Sequence, residues 1–213
     1  MSDPASFVLA QTRLESTPLL PEIRLHLASQ VTPLWEATEA TLEREGLPPP
    51  YWAFAWVGGQ AVSRFLLDRP ETVKGLRVLD FAAGSGVASV AAGLAGAAFV
   101  EAAEIDAFAG AAIALNAQAN GVEVTVCLDD LVGSERRWDV VLAGDVCYER
   151  PMAERVFAWL LKLKGQGARI LLGDPGRAYL PKDGIAELAR HDVPTTKDIE
   201  DKDMRTAVVY EVL

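Results

Sequence analysis

The chain has 213 residues, 50% of them apolar, and a formal net charge of −10. That length suits one α/β domain with a sizeable core, and the acidic balance excludes non-specific nucleic-acid binding, which needs a basic surface. Two cysteines, Cys127 and Cys147, fall in or beside expected buried strands, which excludes a disulfide framework and points to a reducing, cytoplasmic compartment.

The N-terminus carries Asp3 and no basic patch ahead of an apolar run, so no signal peptide is expected. The uncharged run from Val87 to Val100 is rich in Ala and Gly and shorter than the roughly 18 to 20 residues of a membrane span. No membrane partner is expected. No His/Cys cluster has ligand spacing and the acids lie on different strands, so no metal is expected.

In chain order, residues 1–50 read as an N-terminal helical extension. Pro21 at a first turn with Ile23 and Leu27 predicts one helix, and Thr32 as cap with Pro33 predicts a second through Arg44, stopped by Gly46. Pro48-Pro49-Pro50 then imposes an extended lead. Behind it, Tyr51-Trp52-Ala53-Phe54-Ala55-Trp56-Val57-Gly58-Gly59-Gln60 sets four aromatics before a Gly-Gly turn and a helix through Leu67. Trp52 and Phe54 suit a core staple over one end of a sheet. Rings alternating with alanines ahead of a helix N-terminus suit equally the wall and floor of a site for a planar, partly charged ligand.

From Leu76 strands and helices alternate over residues 51–213, the main domain. Strands are expected near 76–81, 98–104, 122–127, 138–144 and 167–172, with helices near 86–95, 107–119, 151–163 and 182–190. The strands are continuous apolar runs, the mark of a parallel sheet covered on both faces, and right-handed crossovers make it doubly wound. The β-rich end, Thr206 to Leu213, fits an antiparallel last strand, which ordinary dinucleotide folds lack.

Ligands bind beyond the carboxyl ends of the strands in such a sheet. The acids there are Asp80, Glu104, Asp129 or Asp130, and Asp145; helix capping is the competing role, weightiest for Asp130 and Asp106. Gly144-Asp145-Val146-Cys147-Tyr148 places an acid and a ring where both can face one acceptor pocket, the ring as a wall for a cation. Cys147 between them reads as packing. His26 and His191 lack partners nearby in sequence, which argues against a hydrolytic triad. Gly173-Asp174-Pro175-Gly176-Arg177 is a turn in which Arg177 either pins Asp174 or frames the acceptor.

Asp80-x-x-x-Gly84-x-Gly86 turns a strand into a helix, letting backbone N–H groups approach a ligand. The third glycine of a dinucleotide fingerprint is replaced by Ser89. With Glu104 one strand and one helix later, the loop resembles the first motif of the seven-stranded class I S-adenosylmethionine (AdoMet) methyltransferases, whose fold is Rossmann-like. Taken with Pro21-Glu22-Ile23-Arg24-Leu25, the Tyr51–Gln60 stretch, Glu104-Ile105-Asp106 with Asn116, Gly144–Tyr148 and Gly173–Arg177, the chain resembles the lysine methyltransferases of the electron-transfer flavoprotein β-subunit, as a bacterial-type member, from about residue 19 to the end.

The resemblance implies that Trp56, Gly58 and Gln60 flank AdoMet and that Asp80, Gly84 and Gly86 cradle its methionine part. It implies Glu104 at the ribose, Asp129 at the adenine edge with Asp130 as the competing register, and Gly144 beneath the cofactor. Asp145 and Tyr148 match the acid and aromatic at the acceptor lysine, Asp145 capturing and aiming the ammonium. Ala82 departs from the pattern, since relatives commonly have a further glycine there. The implied protein substrate is the flavoprotein β-subunit; a ribosomal or other protein lysine is the alternative, and a non-catalytic AdoMet- or nucleotide-binding regulator is the alternative of another class.

Overall fold

The structure is a computed structural model that describes residues 3–28, 49–195 and 202–213. It opens with α1 (Pro4–Gln11), capped by Asp3, whose carboxylate accepts from the Ser6 N–H at 3.1 Å. A hairpin follows, β1 (Arg13–Thr17) against β2 (Leu20–Leu27). Residues 21–27 are therefore strand, where a helix was expected. Ile23 and Leu27 are four apart, a spacing that satisfies a helical face and a strand face equally. Leu25 between them decides the matter, because Ile23 and Leu25 are buried while Glu22 and Arg24 are exposed. The helix expected from Thr32 to Arg44 lies outside the described residues.

After a short turn of 3-10 helix at Tyr51–Ala53 come α2 (Val57–Asp68), β3 (Arg77–Phe81), α3 (Val87–Leu94), β4 (Phe99–Ala103) and α4 (Ala107–Ala119). Then follow β5 (Thr125–Cys127), β6 (Val140–Gly144), α5 (Arg150–Gly165), β7 (Arg169–Asp174), β8 (Ile185–Pro194) and β9 (Met204–Val212). The main sheet has 7 strands in the order β5-β4-β3-β6-β7-β9-β8. The five strands from β5 to β7 are parallel, and β9 runs antiparallel to both β7 and β8. This is the doubly wound, mostly parallel, Rossmann-like sheet expected, terminal antiparallel strand included.

β8 replaces the helix expected at 182–190. Ile185-Ala186-Glu187-Leu188-Ala189-Arg190 has good helix formers, but Gly184 turns at φ +73° and Ile185–Pro194 then pairs along β9, with an irregularity at Leu188. Tertiary pairing outweighs a propensity worth a few tenths of a kcal/mol per residue, roughly.

Alternate residues of the central strands feed two separate cores, as the pleat requires. Val78, Val140, Leu142 and Leu171 pack with α2 and α3, joined by Leu20, Ile23 and Leu25 of the hairpin. Leu79, Val141, Ile170 and Leu172 pack on the opposite face against Trp159, Leu160 and Leu163 of α5. Asn116 on α4 and Asn120 at its C-cap, one turn apart, hold the free edge of β2 as a neighbouring strand would. The Arg24 N–H donates to Asn120 Oδ1 (2.9 Å), and the His26 N–H to Asn116 Oδ1 (2.7 Å). Asn116 also donates to the Ser85 carbonyl (2.8 Å), which ties the hairpin and α4 to the glycine loop.

Candidate active site

Beyond the carboxyl ends of β3, β4 and β6 lies a cavity of about 370 Å³, within the range typical of small-molecule sites. A second hollow of about 320 Å³ opens at the other end of the sheet, around Phe99 and Glu123. It contains none of the expected site residues, and open α/β sheets bind ligands at the strand ends where the first cavity sits.

The floor of that cavity comes from the turn after β3. Ala82, Gly84 and Gly86 all have positive φ, +53°, +53° and +73°, so consecutive backbone groups coil tightly and Ala82 and Gly84 line the cavity. Ala82 adopts the left-handed conformation in spite of its Cβ, the answer to the departure noted in the sequence. Gly86 is outside the lining; it caps α3, and a Cβ there would come within 3.0 Å of Ile113. Asp80 also stands behind the wall. Its carboxylate accepts from the Ser89 N–H (2.8 Å) and hydroxyl (2.7 Å), which fastens the strand end to α3, and burial pushes its pKa up to about 6 against those two donors.

Glu104, at the end of β4, lines the cavity half-buried. Burial pushes its carboxyl up to about 7, with Asp106 and Asp80 adding to the rise and the Ile105 N–H opposing it. Asp106 lines the same wall while capping α4, accepting from the Phe108 N–H at 2.8 Å. Asp129 is not brought in. Its side chain is 73% exposed and sits 3.4 Å from Arg136, away from the lining. Asp130, the competing register, is engaged with Arg155 at 2.5 Å and with the Val132 N–H, so neither side chain lines the cavity.

The opposite wall carries Gly144, Asp145, Val146 and Tyr148. Asp145 has φ +56° and is 9% exposed. Its Oδ2 accepts from the Gly58 N–H (2.5 Å) and the Gly59 N–H (3.3 Å) at the start of α2, where the helix dipole favours an anion. Its Oδ1 accepts from Arg177 Nη2 (2.8 Å) and Nε (3.2 Å). Burial raises the Asp145 pKa to about 6 in spite of Arg177, with Asp174 adding to the rise. The expectation that Arg177 pins Asp174 is half met. The backbone N–H of Arg177 donates to Asp174 Oδ1 (2.6 Å), while its guanidinium reaches across to Asp145.

Gly58 contributes contact rather than lining. A Cβ there would collide with the Gly173 carbonyl, and one on Gly144 would come within 2.7 Å of the Gly59 nitrogen, so α2 rests backbone-on-backbone on the ends of β6 and β7. Gln60 is likewise buried behind the wall, donating to the Ala55 carbonyl at 2.6 Å with its Oε1 unpartnered. Trp56 does line the cavity, its indole N–H donating to the Tyr51 carbonyl at 2.9 Å.

The aromatic stretch serves both roles anticipated for it. Phe54 is core, whereas Trp52 is buried against Phe7 with one surface on the cavity. Tyr51 stands between Trp56 and Tyr148, ring centroids 5.7 and 6.0 Å away. Cys147 is inert, since burial beside Asp174 and Asp145 pushes its thiol up to about 12. Sequence reasoning assigned no site role to Ile105 and Met152, and gave Asp106 only a capping role, yet all three line this cavity. The signal for Asp106 and Ile105 was their position directly after Glu104 at the same strand end.

A family model described as ribosomal protein L11 methyltransferase (PrmA) matches residues 62–146. A relative from Xenopus laevis named electron transfer flavoprotein beta subunit lysine methyltransferase is 41% identical over 181 residues, covering 82% of this chain and 71% of its own. The Danio rerio protein of that name is 34% identical, covering 98% and 83%. Among solved structures, magnesium protoporphyrin IX methyltransferase from Synechocystis with bound SAM superposes with a TM-score of 0.54 at 24% identity, over 72% of this chain and 78% of that one. That likeness bears on the fold. The sequence relatives go further: the chain belongs to the electron transfer flavoprotein beta subunit lysine methyltransferase family.

Proposed function

We propose that this protein transfers a methyl group from AdoMet to a lysine of the electron-transfer flavoprotein β-subunit. The observation that carries the reading is the convergence of Ala82, Gly84, Glu104, Asp145 and Tyr148, from three strand ends, on one cavity.

The cavity suits the cofactor. The left-handed loop leaves main chain at the floor, aromatic surfaces of Trp52 and Trp56 offer walls for a planar base, and Glu104 is an acid acted on by other acids rather than by a cation. A carboxylate in that condition gains from paired hydroxyl donors, which is what a ribose presents. Gly84, Gly144, Glu104 and Trp56 would hold AdoMet at the cavity surface. Asp80, Gly58, Gly86 and Gln60 would support that surface from behind, and Asp106 with Ile105 takes the place first given to Asp129. When bound, AdoMet supplies a methyl carbon made electrophilic by its sulfonium sulfur, which leaves as a thioether.

An ammonium has no lone pair, and only about one lysine in 2,500 is neutral at pH 7. The acceptor must therefore shed its proton to water before its nitrogen can attack. Asp145 and Tyr148 aim the amine, and positional control of this kind supplies much of the rate gain in a bimolecular transfer. The free cysteines Cys127 and Cys147 fit a cytoplasmic setting.

A ribosomal acceptor has less support. The family match that suggests it ends at Val146, before Tyr148 and Arg177 on the acceptor side, whereas the Danio rerio relative named for the flavoprotein β-subunit matches over 98% of the chain and so runs through both. Incubating the enzyme with AdoMet and the flavoprotein β-subunit, followed by mass spectrometry, should show lysine peptides heavier by 14 Da per methyl group, roughly. Binding of S-adenosylhomocysteine without any such product would sink the proposal and leave a cofactor-binding regulator.

A further inference from the structure

Asp145 meets the acceptor with both oxygens already engaged, Oδ2 by the start of α2 and Oδ1 by Arg177. The pair is largely enclosed, with side-chain exposures of 20% for Arg177 and 10% for Asp145, so solvent screens it weakly. Arg177 is held at both ends, its own N–H being fastened to Asp174. An unneutralised carboxylate at this place would work against the reaction, because an acid beside an amine stabilises the ammonium and raises its pKa by roughly one to three units.

Resting on the methyl-transfer reading above, we propose that Arg177 is a positioning residue that acts through Asp145. By neutralising that carboxylate it lets the acceptor lysine sit in the cavity as the free amine, while Asp145 keeps its orienting role.

Among the described residues, the remaining charges around Asp145 leave this task to Arg177. From α2 come only the Gly58 and Gly59 N–H dipoles. From the end of β7 comes Asp174, and from the end of β4 Glu104 and Asp106, all of them acids. Tyr51, Tyr148 and Cys147 are raised by burial and stay neutral at physiological pH. Arg177 is the guanidinium that lines the cavity, and it meets Asp145 with two nitrogens, a geometry lysine cannot reproduce in full. The step balances simply: the ammonium proton leaves to water, the nitrogen lone pair forms the N–C bond, and the departing sulfur takes the electron pair of the broken S–C bond.

The test is the pH profile of kcat, measured at saturating flavoprotein β-subunit because kcat reports ionisations in the enzyme–substrate complex, for the wild type, Arg177→Gln and Arg177→Lys, with S-adenosylhomocysteine affinity measured by calorimetry. In Arg177→Gln the rising limb should move up by one unit or more, so that activity is about tenfold low near pH 7.5 and recovers at higher pH. Cofactor-product affinity should stay within about twofold. Arg177→Lys, which keeps the charge, should hold the limb within about 0.3 unit even at reduced rate, and it carries the test if Arg177→Gln fails to fold. A uniform loss at every pH with the limb in place would overturn the proposal, as would a displaced limb in Arg177→Lys. A wild type that binds S-adenosylhomocysteine yet never methylates lysine overturns the parent reading instead.

Discussion

The two ends of the cavity treat a buried acid in opposite ways. At the β4 end, Glu104 is raised to about 7 by burial and by two other acids, and among the described residues the Ile105 N–H alone opposes them. At the β6 end, Asp145 is raised to about 6 although a guanidinium and two helix N–H groups hold it. The first acid is under-partnered and gains when hydroxyl donors arrive; the second is complete before any ligand comes. On the proposed reading, one end is finished by what it binds, and the other stays fixed.

The fixed end rests on close main-chain contact, so breaking it should have the largest effect. Gly58→Ala puts a methyl group against the Gly173 carbonyl and the Asp145 carboxylate, neither of which can yield without moving a strand end. Loss of stability should be about 3 kcal/mol or more, the range of overpacked or broken buried networks. For a domain of this size that lowers Tm by roughly 6–12 °C. A change under about 2 °C would mean that α2 sits more loosely than the contact implies.

Glu104→Gln should be milder and of two signs. In the empty enzyme the folded pKa of Glu104 is raised, about 7 against 4.5. The folded state then binds more protons between those values, and this carboxyl's contribution to stability falls as pH rises through that window. The amide variant lacks that slope, so at pH 8 it should be the more stable protein, by about 3 to 4 kcal/mol at most. Ligand affinity runs the other way. Hydroxyl donors prefer the ionised acid, so wild-type affinity for S-adenosylhomocysteine should rise from pH 6 to about 7 and then level, while Glu104→Gln binds roughly 10- to 100-fold more weakly and without that rise. Titration calorimetry at three pH values reads both; a variant with the wild-type pH dependence would remove Glu104 from the site.

Most of this asymmetry was legible in the chain where one residue type at one strand end had one physical meaning. Asp80, Glu104 and Asp145 were placed by strand periodicity followed by a turn, and all three fall at the crevice end of the sheet. Their second halves were not legible. Whether an acid lines a cavity or braces it from behind depends on which neighbour is within 3 Å, so Asp80 with Ser89 and Asp145 with Arg177, 32 positions away, needed coordinates. Asp129 lies off the cavity for a related reason: the short strand β5, Thr125–Cys127, ends two residues earlier, and the chain has already turned outward toward Arg136. The hairpin and β8 were misread because apolar spacing of four and a run of helix formers each fit two structures, and strand pairing, with β1 for the hairpin and with β9 for β8, chose between them.

The smallest expected effect sharpens the comparison from the adaptable end. Ala82 holds φ +53° in the floor turn, a conformation that costs an L-residue with a Cβ roughly 1 to 2 kcal/mol. Ala82→Gly removes that strain but adds unfolded-state entropy worth roughly 0.5 to 1 kcal/mol. The balance should be a gain of about 0.5 to 1 kcal/mol, a rise in Tm of roughly 1 to 4 °C. The same change frees the turn to sample other paths, so S-adenosylhomocysteine affinity should not improve in step with stability. If instead both rise together, the strain at Ala82 is a burden on binding; if stability falls, the turn owes its shape to the alanine methyl and its contacts with the α5 face of the core.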